Sequence, residues 1–257
     1  MKNQLLALLA FATLSFSAPV DTSTVSAPDG SLSFLARPAS RDLVRRPALV
    51  LAPEWWGVND YAKGRAKELA AEGYVVLVPD FYGKRQVAGN ASEAGKLAGA
   101  FYADPAKFLA VMGRAVSQLK ARADVDTSRL GALGFCFGGT AVLEGARGGL
   151  PFKAAASFHG GAKPFAPTKK GAIQGKVMVL HGGADPHVTM EDVAACVKDL
   201  EAAGADYGVE VYAHAVHAFT NPAAGNDPSK GAAYDAKAEK ASFAAFHRLL
   251  EETGLKP

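Results

Sequence analysis

Six short apolar runs punctuate the chain, at residues 47–52, 74–78, 130–135, 154–158, 177–180 and, less uniformly apolar, 208–212. Runs this short, bounded by turn residues, fit strands buried on both faces of a parallel sheet. Helical patterns lie between them. Asn59 and Asp60 can cap a helix that reaches Glu72 and stops at Gly73. Asp104 before Pro105 opens a second helix, with Phe108, Met112, Ala115 and Leu119 on one face. Thr189 and Asp192 have the spacing of a capping box ahead of Val193, Cys196 and Leu200, and Gly204 closes that helix. From about residue 229 to 252, Tyr234, Ala238, Ala241, Ala245 and Leu249 form one stripe. Residues 20–37 read as an antiparallel hairpin turning at Asp29-Gly30. The alternation predicts an α/β fold with a mostly parallel central sheet flanked by helices.

The N-terminus has a different character. Lys2 precedes about ten apolar residues, and small residues follow, with Ser15 and Ser17 at the −3 and −1 positions of a cleavage site. This order is that of a secretory signal peptide. The expectation is a leader over residues 1–18, export to the periplasm or beyond, and a single domain over 19–257. No other stretch approaches the ~20 apolar residues of a membrane span.

Composition removes several classes of function. Lys plus Arg is 28 against 25 Asp plus Glu, a net charge of +3, which leaves no electrostatic footprint for nucleic acid. The two cysteines, Cys136 and Cys196, exclude a disulfide framework and a four-cysteine zinc site. Neither zinc-ligand spacing nor a phosphate-binding glycine motif occurs, so no metal and no nucleotide cofactor is expected.

The segment Gly134-Phe135-Cys136-Phe137-Gly138-Gly139 follows a predicted strand and precedes a predicted helix. That is the context of a nucleophile elbow, G-x-nucleophile-x-G, with cysteine in the central place. A sharp strand-to-helix turn strains the nucleophile's backbone, and flanking glycines remove Cβ atoms that would clash. The turn puts the thiol at a helix N-terminus, whose partial positive charge favours thiolate. It also leaves the Phe137 amide for an oxyanion.

A nucleophile of this kind needs a base and an acid that orients it, in the order nucleophile, acid, histidine. Asp185 follows the run at 177–180 closely, and His217 follows the run at 208–212. His214 is the alternative base, nearer the strand. Glu54, after the first core run, faces the same mouth, and the Trp55 amide is a second oxyanion donor. Trp55, Trp56, Tyr82, Phe137 and Phe219 would give an apolar pocket. Cys196 sits on an apolar helix face and reads as a core residue.

At these residues the chain resembles the dienelactone hydrolase family of the α/β-hydrolase superfamily. The motifs are Glu54-x-x-Gly57, Pro79-Asp80-Phe81-Tyr82, the Cys136 elbow, Asp185 after His181-Gly182, and His217-Ala218-Phe219. The resemblance implies a Cys136, His217 and Asp185 triad and a Glu54 that engages the thiol at rest. It implies hydrolysis of small esters or lactones through an acyl-thioester, without cofactor. In that family arginines after the Asp-x-Tyr and His-x-Phe motifs hold a substrate carboxylate. Here those neighbourhoods hold Lys84-Arg85, which still carry charge, and Thr220-Asn221, which do not. The expectation is therefore a cysteine hydrolase of small esters or lactones, acting as a monomer or small homo-oligomer. Two other readings are a non-catalytic ligand-binding protein on a hydrolase scaffold and a thiol redox pair of Cys136 with Cys196.

Overall fold

The computed structural model describes residues 18–40, 42 and 44–257, so the expected leader falls almost wholly outside the described residues. One sheet of eight strands organises the chain, in the order β1-β2-β4-β3-β5-β6-β7-β8. The strands are β1 (Val20–Ser26), β2 (Leu32–Pro38), β3 (Arg46–Ala52), β4 (Val75–Val78), β5 (Val125–Phe135), β6 (Ala154–Phe158), β7 (Lys176–Gly182) and β8 (Asp206–Tyr212). β1 and β2 form the expected hairpin, with Gly30 at φ +81° in its turn, and β2 runs antiparallel to β4. All other pairings are parallel. The sixth run forms β8, and its weaker apolar character matches its place at the sheet edge, where most of its residues are only half-buried.

Side chains alternate across the pleat. Along β3, Ala48, Val50 and Ala52 enter one core, while Leu49 and Leu51 enter the other. The first core is closed by α3 (Ala106–Lys120), α4 (Phe137–Arg147) and α5 (Met190–Ala203), with α2 (Ala91–Tyr102) resting on α3. The second is closed by α1 (Asp60–Ala71) and α6 (Ala236–Glu252).

Most helix boundaries follow their caps. The Asn59 side chain accepts the Ala62 amide at 3.0 Å, and Thr189 and Asp192 form the expected capping box. Two expectations are corrected. Asp104 does not cap α3 with its side chain. The stripe expected from residue 229 becomes α-helical only at Ala236, after the Asp235 cap, because the preceding segment runs beside the His217 loop. There the Ala233 amide donates to the His217 carbonyl at 3.0 Å and the Asp235 amide to the Phe219 carbonyl at 3.0 Å.

The register brings the chemistry-bearing loops to one end. Ala52 lies beside Gly134, Phe135 beside Phe158, and Gly182 beside Tyr212. Glu54, Cys136, His159, Asp185 and His217 all follow within five residues of these carboxyl ends, the side on which open α/β sheets bind ligands.

Asp80 anchors the loop after β4. Its buried carboxylate accepts the amides of Leu32 (2.9 Å), Tyr82 (3.2 Å), Gly83 (2.9 Å) and Arg85 (2.8 Å). Replacing Asp80 with alanine orphans these donors and is expected to cost about 3 kcal/mol or more. For a chain of this size, that lowers the thermal midpoint by roughly 6–12 °C in a melting experiment.

Candidate active site

Cys136 occupies a sharp turn between β5 and α4, with φ +54° and ψ −118°. The flanking glycines are required by close approach. A Cβ on Gly134 would overlap the Gly138 carbonyl, and one on Gly138 would overlap the Ala52 carbonyl at the end of β3. The elbow is thus pressed against the neighbouring strand's backbone, as the G-x-C-x-G pattern predicts. Phe137 is the first residue of α4, where an amide has no partner within the helix. Among the described residues the Trp55 amide likewise has no protein acceptor.

His217 and Asp185 meet as the sequence order anticipated. His217 Nδ1 lies 2.8 Å from Asp185 Oδ2, while Asp185 Oδ1 accepts the amides of His187 (2.8 Å) and Val188 (3.1 Å). Burial raises the Asp185 carboxyl, but His217 and these two amides outweigh it and hold the group below its ordinary value. His217 and Cys136 line the same cavity. Burial disfavours the imidazolium, yet Cys136 and Asp185 together push the ring up to about 10. His214 lies exposed outside this group.

Glu54 is 3% exposed, and its Oε2 accepts Asn221 Nδ2 at 2.7 Å. Burial pushes its carboxyl up to about 7, against the pull of Asn221 and of His217. The two acids near His217 therefore sit in opposite environments, one held ionised and one holding a proton near neutral pH.

A cavity of about 870 Å³ opens onto Cys136, His217 and Glu54. Trp55 and Trp56 line it, as anticipated, together with Tyr61 and Tyr102. Five residues anticipated at the site lie elsewhere. The Tyr82 hydroxyl donates to the Trp55 carbonyl at 2.8 Å and braces that loop from behind. The Phe219 ring is fully buried, edge-on to His159 with ring centres 5.0 Å apart. Lys84 and Arg85 curl around Asp80 with φ of +50° and +56°, and the Arg85 guanidinium turns to Thr24 on β1. The Phe137 side chain lies beneath the elbow among Phe81, Phe101 and Phe108. The charged lining is Glu54 and Asp60, with the titratable rings of His187 and His217, and no lysine or arginine among the described residues.

Sequence reasoning missed Tyr102 and Asn221 as the partner of Glu54, and it placed His159 only at a strand end, where it could line the site or stabilise a turn. Tyr102 ends α2, a helix in a segment to which the sequence reading assigned no structure, although Asn90 three residues before Glu93 is a capping signal. Asn221 and His159 act through contacts far apart in sequence. Cys196 is fully buried, and both cysteines are free thiols, so the redox pairing finds no disulfide here. Among the described residues no group of three or more His, Cys, Asp or Glu side chains is placed to hold a metal ion.

The parallel sheet with a nucleophile elbow and a histidine–carboxylate pair at its carboxyl ends defines an α/β-hydrolase. The profile of the dienelactone hydrolase family matches residues 33–254, and the chain belongs to that family. A protein of Bradyrhizobium sp named "Probable 2-oxo-3-(5-oxofuran-2-ylidene)propanoate lactonase" is 32% identical over 201 residues, 74% of this chain and 79% of that protein. A crystal structure described as a dienelactone hydrolase-like promiscuous phosphotriesterase from metagenomic libraries is 36% identical. It covers 91% of this chain and 98% of that one with a TM-score of 0.85. A structure named m3DLH matches over the same shares at 33% identity and a TM-score of 0.86. The protein is accordingly a hydrolase of ester or lactone bonds.

The protonation of Glu54 sets a pH test. The unfolded chain releases this proton near 4.5 and the folded chain near 7, so stability falls as pH rises through that window. The loss is on the order of 3 kcal/mol. Glu54→Gln keeps an acceptor for Asn221 without the titration. Unfolding at about pH 5 and about pH 8 should show a smaller loss in the variant by roughly that amount.

Proposed function

We propose that Cys136 is the nucleophile of this hydrolase and that the reaction passes through an acyl-thioester on its sulfur. The observation that carries the reading is that His217, held by Asp185, and a cysteine at the elbow border one cavity. Sγ attacks the carbonyl carbon with the thiol proton held on His217. Collapse of the tetrahedral intermediate breaks the ester C–O bond, and His217 gives the proton to the departing oxygen. Water then attacks the thioester carbonyl and gives a proton to His217, the C–S bond breaks, and the acid leaves with the sulfur–imidazole pair restored. Asp185 holds Nδ1, so that Nε2 is the nitrogen that faces the sulfur. The amides of Trp55 and Phe137 stabilise the oxyanion. Glu54, buried and near neutral in its titration, accepts or returns a proton beside the thiol at rest.

The cavity's charge supports a substrate without a carboxylate. A buried acid and an exposed aspartate border the space, with no lysine or arginine to answer an anion. Aromatic walls from Trp55, Trp56 and Tyr102 suit an apolar acyl or leaving group. A neutral phosphotriester is a second substrate class with the same charge, suggested by the name of one structural relative.

Hydrolysis of p-nitrophenyl acetate, an unsaturated neutral lactone, a carboxylated lactone and a neutral phosphotriester tests both parts. Cys136→Ala is expected to lose about a thousandfold or more in kcat, and rates equal to wild type overturn Cys136 as the nucleophile. The carboxylated lactone should have the lower kcat/KM of the two lactones, and the reverse order overturns the substrate class.

A further inference from the structure

Three residues other than glycine with left-handed backbone angles meet at the site: Cys136 (φ +54°), His159 (φ +41°) and Ala218 (φ +57°). They lie on three loops, after β5, β6 and β8. Strained positions of this kind persist only where their surroundings over-determine them. The side chain that bridges the other two loops is that of His159. Its Nδ1 lies 3.1 Å from the Cys136 amide nitrogen, whose hydrogen it shares with the Phe158 carbonyl at 3.0 Å. Its Nε2 lies 2.9 Å from Thr220 Oγ1, two residues past Ala218.

The hydrogens can be placed by elimination. The Cys136 amide is a donor, so Nδ1 carries a lone pair and Nε2 carries the ring hydrogen. Nε2 then donates to the Thr220 hydroxyl, and Thr220 donates to the Tyr61 hydroxyl at 2.8 Å. Tyr61 donates to the Thr220 carbonyl at 3.1 Å, which also accepts Arg65 at 3.1 Å. Every donor in the chain has an acceptor, and α1 closes it from behind. A second proton on His159 would oppose two N–H groups at Cys136. Burial and the neighbouring His217 both press the ring toward its neutral form.

We propose that His159 is a positioning residue that holds the nucleophile elbow and the loop bearing His217 at one fixed spacing, through Nδ1 to the Cys136 amide and Nε2 to Thr220. The inference rests on Cys136 being the nucleophile. The ring lies outside the cavity lining, so it acts on the thiol–imidazole geometry and leaves the substrate walls alone.

The test uses His159→Ala, His159→Asn, His159→Gln and Thr220→Val, with kcat, KM, the thermal midpoint and the pH profile of Cys136 alkylation by iodoacetamide. Asparagine restores an acceptor near Nδ1, and glutamine restores a donor near Nε2. His159→Ala should lower kcat between about tenfold and a hundredfold with KM within about twofold, and it should move the alkylation profile. Asparagine and glutamine should each recover part of the loss. Thr220→Val should reproduce the glutamine-sensitive part, and adding it to His159→Ala should cost nothing further. Unchanged kcat in His159→Ala, or a lower melting point with an unmoved alkylation profile, overturns the inference. If His159→Ala does not fold, Thr220→Val carries the same two outcomes. Wild-type rates in Cys136→Ala would instead sink the nucleophile, whereas inactive Cys136→Ala beside fully active His159 variants sinks the tether alone.

Discussion

The backbone of Cys136 is the constraint around which the site is arranged. A cysteine at φ +54° costs on the order of 1–3 kcal/mol, and the turn forms only because Gly134 and Gly138 let α4 press against the end of β3. That close approach ties the elbow to the parallel register of β3 and β5, and through β5 to β6, whose last carbonyl accepts the Cys136 amide. The sheet and its two cores hold the turn. In return, the turn lifts one polar side chain out of an apolar interior at the point where five strand ends converge.

The loop from His217 to Asn221 is the second organising element. Within five residues it sends His217 to Asp185, Thr220 to His159 and Tyr61, and Asn221 to Glu54. Short loops rarely carry so many buried polar contacts, and this one is braced by the segment before α6, which runs beside it as an extended chain. The contrast between its two acids follows from position. Asp185 gathers two amides and an imidazole, whereas Glu54 has one side-chain amide and a desolvating pocket.

Much of this was legible in the sequence because it is local. Buried parallel strands must be apolar on both faces, so they stand out as runs, and the elbow carries its own glycines. Caps such as Thr189 with Asp192 are read within four residues. What escaped depends on distant contacts. Lys84 and Arg85 stand in sequence where a substrate clamp could be, but the Asp80 carboxylate winds their backbone away from the cavity. Phe219 and Tyr82 follow the right motifs, yet they pack behind the site. His159 looks like any strand-end histidine until β6 places it against the elbow, and Asn221 meets a glutamate 167 residues away. The start of α6 was misjudged because a helical stripe says nothing of a competing extended partner.

Cys196 ends in a setting quite unlike that of its counterpart. It is closed in by α4 and α5, and Arg147 Nη2 donates to its sulfur at 3.2 Å. The same guanidinium meets Glu144 at 2.7 Å and Asp199 at 3.3 Å. Asp199 in turn accepts the Thr168 amide at 2.8 Å and its hydroxyl at 2.7 Å, which ties down the loop between β6 and β7. The thiol is reached only when these ion pairs part and α5 lifts from α4. The chain therefore carries two clocks in one chemistry: Cys136 reports the state of the site, and the rate at which Cys196 accepts a thiol reagent reports how often α4 and α5 come loose from each other.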